Sequence, residues 1–383
     1  MSDSLPQEII DVIIDKLKDY KHDLKSCSLT CRSFVPQTRV HLFTSIELSS
    51  NGRCQKFMAM RSSSPYDLSA YIRSLTISFR RSDLTSKHLL DVMTNLTVHH
   101  ITLEHLNWGN LTSDMQGALR TSFPHLRSIS LIHTIFPDYQ TVSGFMSGFL
   151  ELKDLSLSDV HVLTIGDHMG HEHRSVPLVG LSIIGAMSIF GLASSFSPIS
   201  LTHLRSLRFT WSVLNDLGSL KSILLAARPN LEELVLNQVP SYGVIDTGLV
   251  TEFPRDLRIQ GLHRLQVEMW DCNVWGGSPE FDQLDAWIDI FRCSAGHVPR
   301  DISFHLCLSS GAVFENQEQE LRAWPSLDEV LSTATGSFKS LSIVIYGLQM
   351  AETAQFKDAI EGQLPRLKQR GMLDIRCKSF LSR

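Results

Sequence analysis

The sequence contains no Cys-x-x-Cys pair, although its 383 residues include seven cysteines. An odd number of scattered cysteines does not suit a disulfide framework and favours reduced thiols in the cytosol or nucleus. The first ten residues, MSDSLPQEII, also lack the basic region and apolar core of a secretory signal. We therefore expect a cytoplasmic or nuclear location, or both.

The sequence also lacks clustered charge. The net charge is −5, and there is no Lys/Arg run and no basic stripe, so the charge pattern gives no reason to expect a nucleic-acid partner. Motifs for phosphate binding, zinc proteolysis and serine hydrolysis are missing as well (Gly-x4-Gly-Lys-Ser/Thr, His-Glu-x-x-His and Gly-x-Ser-x-Gly). We therefore expect a protein that is not an enzyme, needs no cofactor and binds no nucleic acid.

One segment carries several potential metal ligands, namely His168, His171 and His173 with Asp167 and Glu172 beside them. Imidazoles and carboxylates this close together can bind a transition metal. However, adjacent ligands in a glycine-containing loop match no catalytic spacing. The favoured interpretation is a polar surface loop, with no metal site.

A second segment, from Ser175 to Leu204, contains no Lys, Arg, Asp or Glu, and residues 176–196 are long enough to span a bilayer. Pro177, three glycines and four serines interrupt these residues. The segment also keeps the register of an internal repeat that runs through most of the chain. We therefore expect no membrane span.

Residues 4–43 have helical periodicity and a large apolar surface for so short a segment. After a Ser-x-x-Gln helix start, apolar residues recur at helical spacing at Ile9, Ile10, Ile13, Ile14 and Leu17. Asp23 can cap a second helix, in which Cys27 and Cys31 are expected to be small core residues, and Pro36 can open a third helix. About 40 residues are marginal as a domain, so this surface must pack against the rest of the chain or against another protein.

The order of residues in this segment matches a known module: Leu5-Pro6, Glu8-Ile9, Ile13 and Leu17, then Leu24, Cys27-Ser28-Leu29 and Cys31-Arg32-Ser33-Phe34. On these residues it resembles an F-box, in the variant common among fungal proteins. F-box proteins dock on a Skp-family adaptor and through it on a cullin-based ubiquitin ligase. The resemblance implies that the adaptor contact and the module core come from Leu5, Pro6, Ile9, Ile13, Leu17, Leu24, Leu29 and Phe34. Many F-boxes carry Trp where this chain has Phe34.

The rest of the chain repeats the pattern apolar-x-x-apolar-x-apolar. The first positions of successive units are 43, 72, 98, 126, 152, 178, 204, 231 and 262, which gives steps of 29, 26, 28, 26, 26, 26, 27 and 31. A period of this length resembles that of a leucine-rich repeat, in which a short strand is followed by a return segment, usually a helix. The family's ninth-position Asn or Cys is absent, so less regular turns are expected. After Val267 the candidate strands recur at longer intervals, at Ile302/Phe304, Phe338/Leu341/Ile343 and Leu373/Ile375.

These patterns predict an α/β fold: a three-helix F-box followed by an irregular leucine-rich-repeat-like solenoid with parallel strands. The predicted parts are an F-box module over 1–43, a solenoid over 44–267 and larger irregular repeats over 268–383, with a separate small domain as the alternative for the last part. Each repeat buries its apolar face against its neighbours.

The predicted function is a substrate-recognition subunit of a Skp-cullin-F-box ubiquitin ligase with an unknown protein substrate. The alternative is a repeat-protein scaffold in which the N-terminal helices are only a cap. The third, fifth and seventh residues of each unit should face away from the core and form the binding surface. The larger groups there are His100, Glu104, Arg208, Glu233, Arg264 and Glu268. The last four have mixed charge on adjacent strands, so they can also pair internally.

Overall fold

The computed structural model describes residues 5–80, 86–93, 96–164, 175–185, 199–211, 215–238, 259, 261–270, 282–294, 297–308, 321–334, 338–347 and 350–379. The fold is mixed α/β with parallel repeat strands, which confirms the predicted class. The described residues divide into two compact units, with the sequence boundary between Val176 and Pro177 and with Ile199 in the first unit. The predicted boundaries at residues 43 and 267 each lie inside one unit, so the three-part division stays a prediction.

The described helices are α1 Gln7–Lys16, α2 Lys21–Thr30, α3 Val35–Phe43, α4 Asn51–Ser63, α5 Ser86–Met93, α6 Ser113–Thr121, α7 Tyr139–Met146, α8 Asn215–Ala227, α9 Asp282–Cys293, α10 Trp324–Thr333, α11 Met350–Gln363 and α12 Pro365–Gln369. Short 3-10 helices cover Arg32–Phe34, Leu68–Tyr71 and Trp108–Asn110.

The described strands are β1 Ser45–Leu48, β2 Ser74–Ser78, β3 His100–Glu104, β4 Ser128–Ile132, β5 Ile135–Asp138, β6 Asp154–Ser158, β7 His161–Thr164, β8 Val176–Pro177, β9 Gly180–Ile184, β10 Ile199–Ser200, β11 Ser206–Trp211, β12 Glu233–Gln238, β13 Arg264–Trp270, β14 Asp301–Cys307, β15 Ser340–Gly347 and β16 Leu373–Ser379.

In the first unit, five repeat strands pair in parallel in the order β1-β2-β3-β4-β6. Their register aligns the predicted apolar positions, in a ladder that runs through Ile46, Leu75, Ile101, Ile129 and Leu155. From Leu75 onwards these side chains are at most 3% exposed. The strand positions predicted from the repeat are therefore confirmed here.

In the second unit, seven strands pair in parallel in the order β9-β11-β12-β13-β14-β15-β16. The aligned apolar positions are Leu181, Leu207, Leu234, Leu265, Ile302, Leu341 and Leu373. The candidate strands after Val267 are thus real and keep the register of the earlier ones. Leu373 is only half-buried, because β16 is the last strand in the order.

Helices return the chain between several strands, as the helical spacing in those segments predicts. In the first unit α4, α5, α6 and α7 contact one another in sequence order. An aromatic cluster fills the space near α7: the ring centroid of Phe145 lies 5.0 Å from that of Trp108 and 5.0 Å from that of Phe149. All three side chains are 1% exposed. The crossover helices and the strands therefore bury a common core.

Among the described residues, a left-handed residue follows four of the repeat strands at the same repeat position. These residues are His105, His133, Asp159 and Gly185, with φ of 53°, 49°, 50° and 62°. Glycine adopts this conformation without strain, whereas histidine and aspartate do so at a cost. The backbone N–H of His105 donates to the carbonyl of Ile132 at 2.9 Å, and that of His133 donates to Ser158 at 2.8 Å. These inter-repeat hydrogen bonds help to hold the turn in place.

Candidate partner-binding surfaces

The helical module of residues 5–43 has a small core of its own. Ile10, Ile14 and Leu24 are its buried residues, at 7%, 1% and 0% exposure. The partly buried side chains packed against them are Leu17, Cys27, Phe34 and Leu42. The module core therefore takes its buried apolar residues from α1 and α2, and α3 contributes the partly buried Leu42.

Polar contacts fix α1 against the segments that come after α2. The Asp15 carboxylate of α1 accepts a hydrogen bond from the Gln37 amide of α3 at 2.5 Å, and its Oδ1 lies 2.7 Å from Nε2 of His41. The hydrogen bond from Gln37, with a further one from His41, lowers the pKa of Asp15 below its ordinary value. The Gln7 amide donates to the Ser33 carbonyl at 2.9 Å. Two sides of α1, one apolar and one polar, are thus used inside the module.

The remaining side of α1 is exposed and carries several apolar side chains, flanked by the exposed Glu8 and Lys16. Leu5, Ile9, Val12 and Ile13 are 59%, 47%, 55% and 49% exposed. Ile9, Val12 and Ile13 are neighbours on the helix surface because they are three and four residues apart, and Leu5 precedes the helix by two residues. We call these four residues the apolar strip. Contiguous exposed apolar residues favour an interaction surface, whereas single ones do not.

The eight positions that match the F-box motif separate into two groups. Exposed side chains belong to Leu5, Pro6, Ile9, Ile13 and Leu29, the last at 88%. Leu24 is fully buried, and Leu17 and Phe34 pack against the module core. The motif did not single out Val12, although its position three residues after Ile9 places it in the apolar strip.

The prediction that Cys27 and Cys31 are both core residues is wrong for Cys31. Helix α2 ends at Thr30, and Cys31 has an extended backbone (φ −148°, ψ 141°) that leaves its side chain exposed. Its Sγ lies 3.0 Å from the Ser33 hydroxyl, and hydrogen bonding from Ser33 lowers the pKa of the thiol. Cys27 packs against the module core, as predicted.

The third, fifth and seventh residues of each repeat unit form what we call the outer face. In the second unit, Nη1 of Arg264 lies 3.3 Å from Oε1 of Glu233 on the adjacent strand. The Ser206 hydroxyl donates to the other Glu233 oxygen at 3.1 Å. Arg264 and Glu233 are therefore paired with each other, one of the two arrangements that the sequence allowed.

Arg208 lies on β11 with an exposed side chain, in register with Val235 of β12. Within the described residues, no ion pair involves Arg208. Of the two arginines predicted on this face, Arg208 is thus the one whose charge is available to a partner.

Glu268 was predicted to be accessible, and this is wrong, because its side chain is 4% exposed. The Cys307 thiol lies 4.0 Å from its Oε1. Near the carboxyl ends of β14 and β15 the outer face carries a buried apolar cluster of Cys307, Val344 and Tyr346. These strands have seven and eight residues, so their outer face extends beyond the positions that the repeat pattern describes.

His100 and Glu104 are the first and last residues of β3, in the first unit. His100 is exposed and Glu104 is half-buried. Four residues of extended strand separate them by roughly 13 Å, so they do not form one compact site.

In the part of the chain that the structure describes, no group of three or more His, Cys, Asp or Glu side chains is arranged to hold a metal ion. His168, His171 and His173 lie outside the described residues. None of the described helices is long and apolar enough to cross a membrane.

No protein-family model matches the chain, and no curated protein matches it at a significant level.

Proposed function

We propose that this chain is the substrate-recognition subunit of a Skp-cullin-F-box ubiquitin ligase. In this proposal the helical module binds a Skp-family adaptor, and the repeat strands form a solenoid that holds a target protein. The chain then contributes to ubiquitin transfer by bringing the target close to the charged enzyme, without catalytic groups of its own. The observation that carries the proposal is the apolar strip on α1.

The strip favours docking because the module does not need it for folding. The module core of Ile10, Ile14 and Leu24 is complete without the strip, and Asp15 already ties α1 to α3. Each strip side chain is about half exposed, so complete burial under a partner contributes about half of the 1.5–3 kcal/mol of a fully exposed apolar side chain, or about 0.8–1.5 kcal/mol. The strip therefore offers binding energy that the isolated chain leaves unused.

The experiment is a pull-down of a purified Skp-family adaptor with the full chain. The test variant carries Ile9→Ser, Val12→Ser and Ile13→Ser. The control variant carries Leu150→Ser, Leu163→Ser and Leu225→Ser, three apolar side chains that are 58%, 70% and 63% exposed elsewhere. Since interface residues of this kind contribute about 1–2 kcal/mol each, we expect at least a hundredfold loss of affinity for the test variant and none for the control.

Circular dichroism of both variants checks that they remain folded. Failure of the wild-type chain to bind the adaptor, or equal binding by the test variant and the wild type, would contradict the proposal. Point variants are preferable to deletion of residues 1–43, because Thr38 of α3 is fully buried and deletion would expose its surroundings.

A second candidate, a repeat scaffold capped by the N-terminal helices, is favoured by contacts between α3 and the first repeats. The Arg39 guanidinium lies 3.9 Å from the ring centroid of Tyr66, and the Thr44 carbonyl accepts hydrogen bonds from the N–H groups of Arg73 and Ser74, both at 2.9 Å. These contacts join the module to the repeats. A cap explains them, but it leaves the exposed apolar strip without a role.

For the target protein, we place the binding surface on the outer face with Arg208 as its main cation. The test compares proximity labelling by the wild type, by an Arg208→Gln variant and by an Arg264→Gln variant. Because Arg264 is paired with Glu233, we expect Arg208→Gln to lose more target labelling than Arg264→Gln, with adaptor recovery unchanged. Equal labelling by all three proteins would move the target site away from this face.

A further inference from the structure

A row of basic side chains crosses the amino-terminal ends of the strands in the first unit. Its members are Arg73, His99, Arg127 and Lys153, each the second residue of its repeat unit. We call them the basic row. They are 26, 28 and 26 residues apart in the sequence and become neighbours only through strand pairing.

Backbone hydrogen bonds align the row. The N–H of His99 donates to the carbonyl of Arg73 at 2.9 Å. The N–H of Arg127 donates to the carbonyl of His99, and that of Lys153 donates to the carbonyl of Arg127, both at 2.8 Å. The four residues thus lie at the same level, each directly before one of four neighbouring strands.

The charges of the row are available. Arg73, Arg127 and Lys153 are exposed and His99 is half-buried. Within the described residues, none of the four forms an ion pair. Nδ1 of His99 donates to the His125 carbonyl at 3.2 Å, which orients the ring within the row. The nearby Glu151 carboxylate lies 3.3 Å from Nδ1 of His125, not on a member of the row.

We propose that the basic row binds an extended acidic segment of a partner protein, with consecutive Asp or Glu residues. Four strands spaced about 4.8 Å apart make the row about 14 Å long, which an extended chain covers with four to five residues. Each of the first three row residues is followed on the outer face by a further hydrogen-bond donor, Ser74, His100 and Ser128 respectively. Carboxylates that reach the row can accept hydrogen bonds from these side chains as well.

A nucleic-acid backbone suits the row less well. Asp154 comes directly after Lys153 and is exposed, so a phosphate chain that continues past Lys153 meets a carboxylate. The chain as a whole carries a net charge of −5. A short acidic peptide segment can end at Lys153, whereas phosphate binding draws its affinity from many neutralised charges.

The inference does not depend on the adaptor, because the basic row shares no residue with the apolar strip. The experiment measures fluorescence anisotropy of a labelled peptide with six consecutive Glu residues, mixed with the full chain alone. A peptide with six Gln residues is the ligand control. The test variant carries Arg73→Gln, Arg127→Gln and Lys153→Gln, and the control variant carries Lys56→Gln, Arg80→Gln and Lys87→Gln, three exposed cations of the same unit.

We expect the test variant to lose at least tenfold in affinity for the Glu peptide and the control variant to lose less than twofold. Both variants lose three positive charges, so equal losses would show that net charge alone attracts the peptide and would overturn the proposal. Binding of the Gln peptide as tightly as the Glu peptide would overturn it as well. A single-stranded DNA oligonucleotide that binds the row more tightly than the Glu peptide would assign the row to nucleic acid instead.

Discussion

Helix α1 and the repeat strands carry the same kind of sequence signal, a periodic series of apolar residues, with different outcomes. In β3 and β4 the patterned residues Ile101, Leu103, Ile129 and Leu131 are at most 3% exposed. In α1 only Ile10 and Ile14 are buried, while their neighbours Ile9 and Ile13 are about half exposed. A repeat strand is enclosed by adjacent strands and by the return segments, whereas the described residues that cover α1 come from α2, α3 and the 3-10 helix Arg32–Phe34. A periodic series of apolar residues therefore identifies the side chains whose burial is favourable. Which of them are buried within the chain depends on the elements that lie beside them.

The largest expected difference is between two truncations, one of a buried strand residue and one of an exposed residue of α1. Leu103→Ala removes a fully buried side chain between β2 and β4, and we expect a loss of about 2–5 kcal/mol in the free energy of unfolding. Ile13→Ala removes an exposed side chain, and we expect a change within about 0.5 kcal/mol. Chemical denaturation of both variants measures the difference. Similar losses would mean that Ile13 is buried in solution.

A second variant tests the module core alone. Ile14→Ala removes one of three buried residues from a small cluster, and we expect about 2 kcal/mol of destabilisation confined to the module. Hydrogen exchange should become faster for the α1 amides and stay unchanged for those of β3. Ile13→Ala on the same helix is the matched control and should leave both unchanged. Faster exchange in β3 would show that the module and the repeats unfold together.

The smallest expected effect concerns the polar side of α1. The pKa of Asp15 is lowered from its ordinary value of 3.8 by hydrogen bonds from Gln37 and His41. A carboxylate whose folded pKa is depressed stabilises the fold above its unfolded pKa, and this stabilisation is lost as the pH falls through the folded pKa. Asp15→Asn should therefore lower the melting temperature slightly at pH 7 and make no difference well below pH 3.8. A larger effect at low pH than at pH 7 would contradict this assignment.

Much of the fold could be predicted because each repeat position has one geometric role. The register of Leu75, Ile101 and Ile129 follows from the 26–28-residue steps, since parallel strands align residues at equal repeat positions. The left-handed turns at His105, His133 and Asp159 could not be predicted, because neither histidine nor aspartate signals a positive φ as glycine does. At His105 and His133 the turn is held by backbone hydrogen bonds to the next repeat, which only the folded chain provides.

The candidate surfaces were less predictable than the fold. The motif identified Leu5, Ile9 and Ile13 but not Val12, because it records residue types and not the side of the helix that remains uncovered. Alternation placed Glu268 on the outer face correctly, but alternation does not reveal what lies over that face. The basic row could not be predicted for a different reason. Its members are distant in sequence and become neighbours only through strand pairing.

The proposed function requires that an adaptor covers the apolar strip. Replacement of Val12 by the photo-crosslinker p-benzoylphenylalanine, in the full chain mixed with a purified Skp-family adaptor, tests this contact. The same replacement of Leu163, which is 70% exposed in β7, is the control. We predict an adaptor cross-link from position 12 and none from position 163. No cross-link from position 12, or equal cross-linking from both positions, would contradict the proposed function.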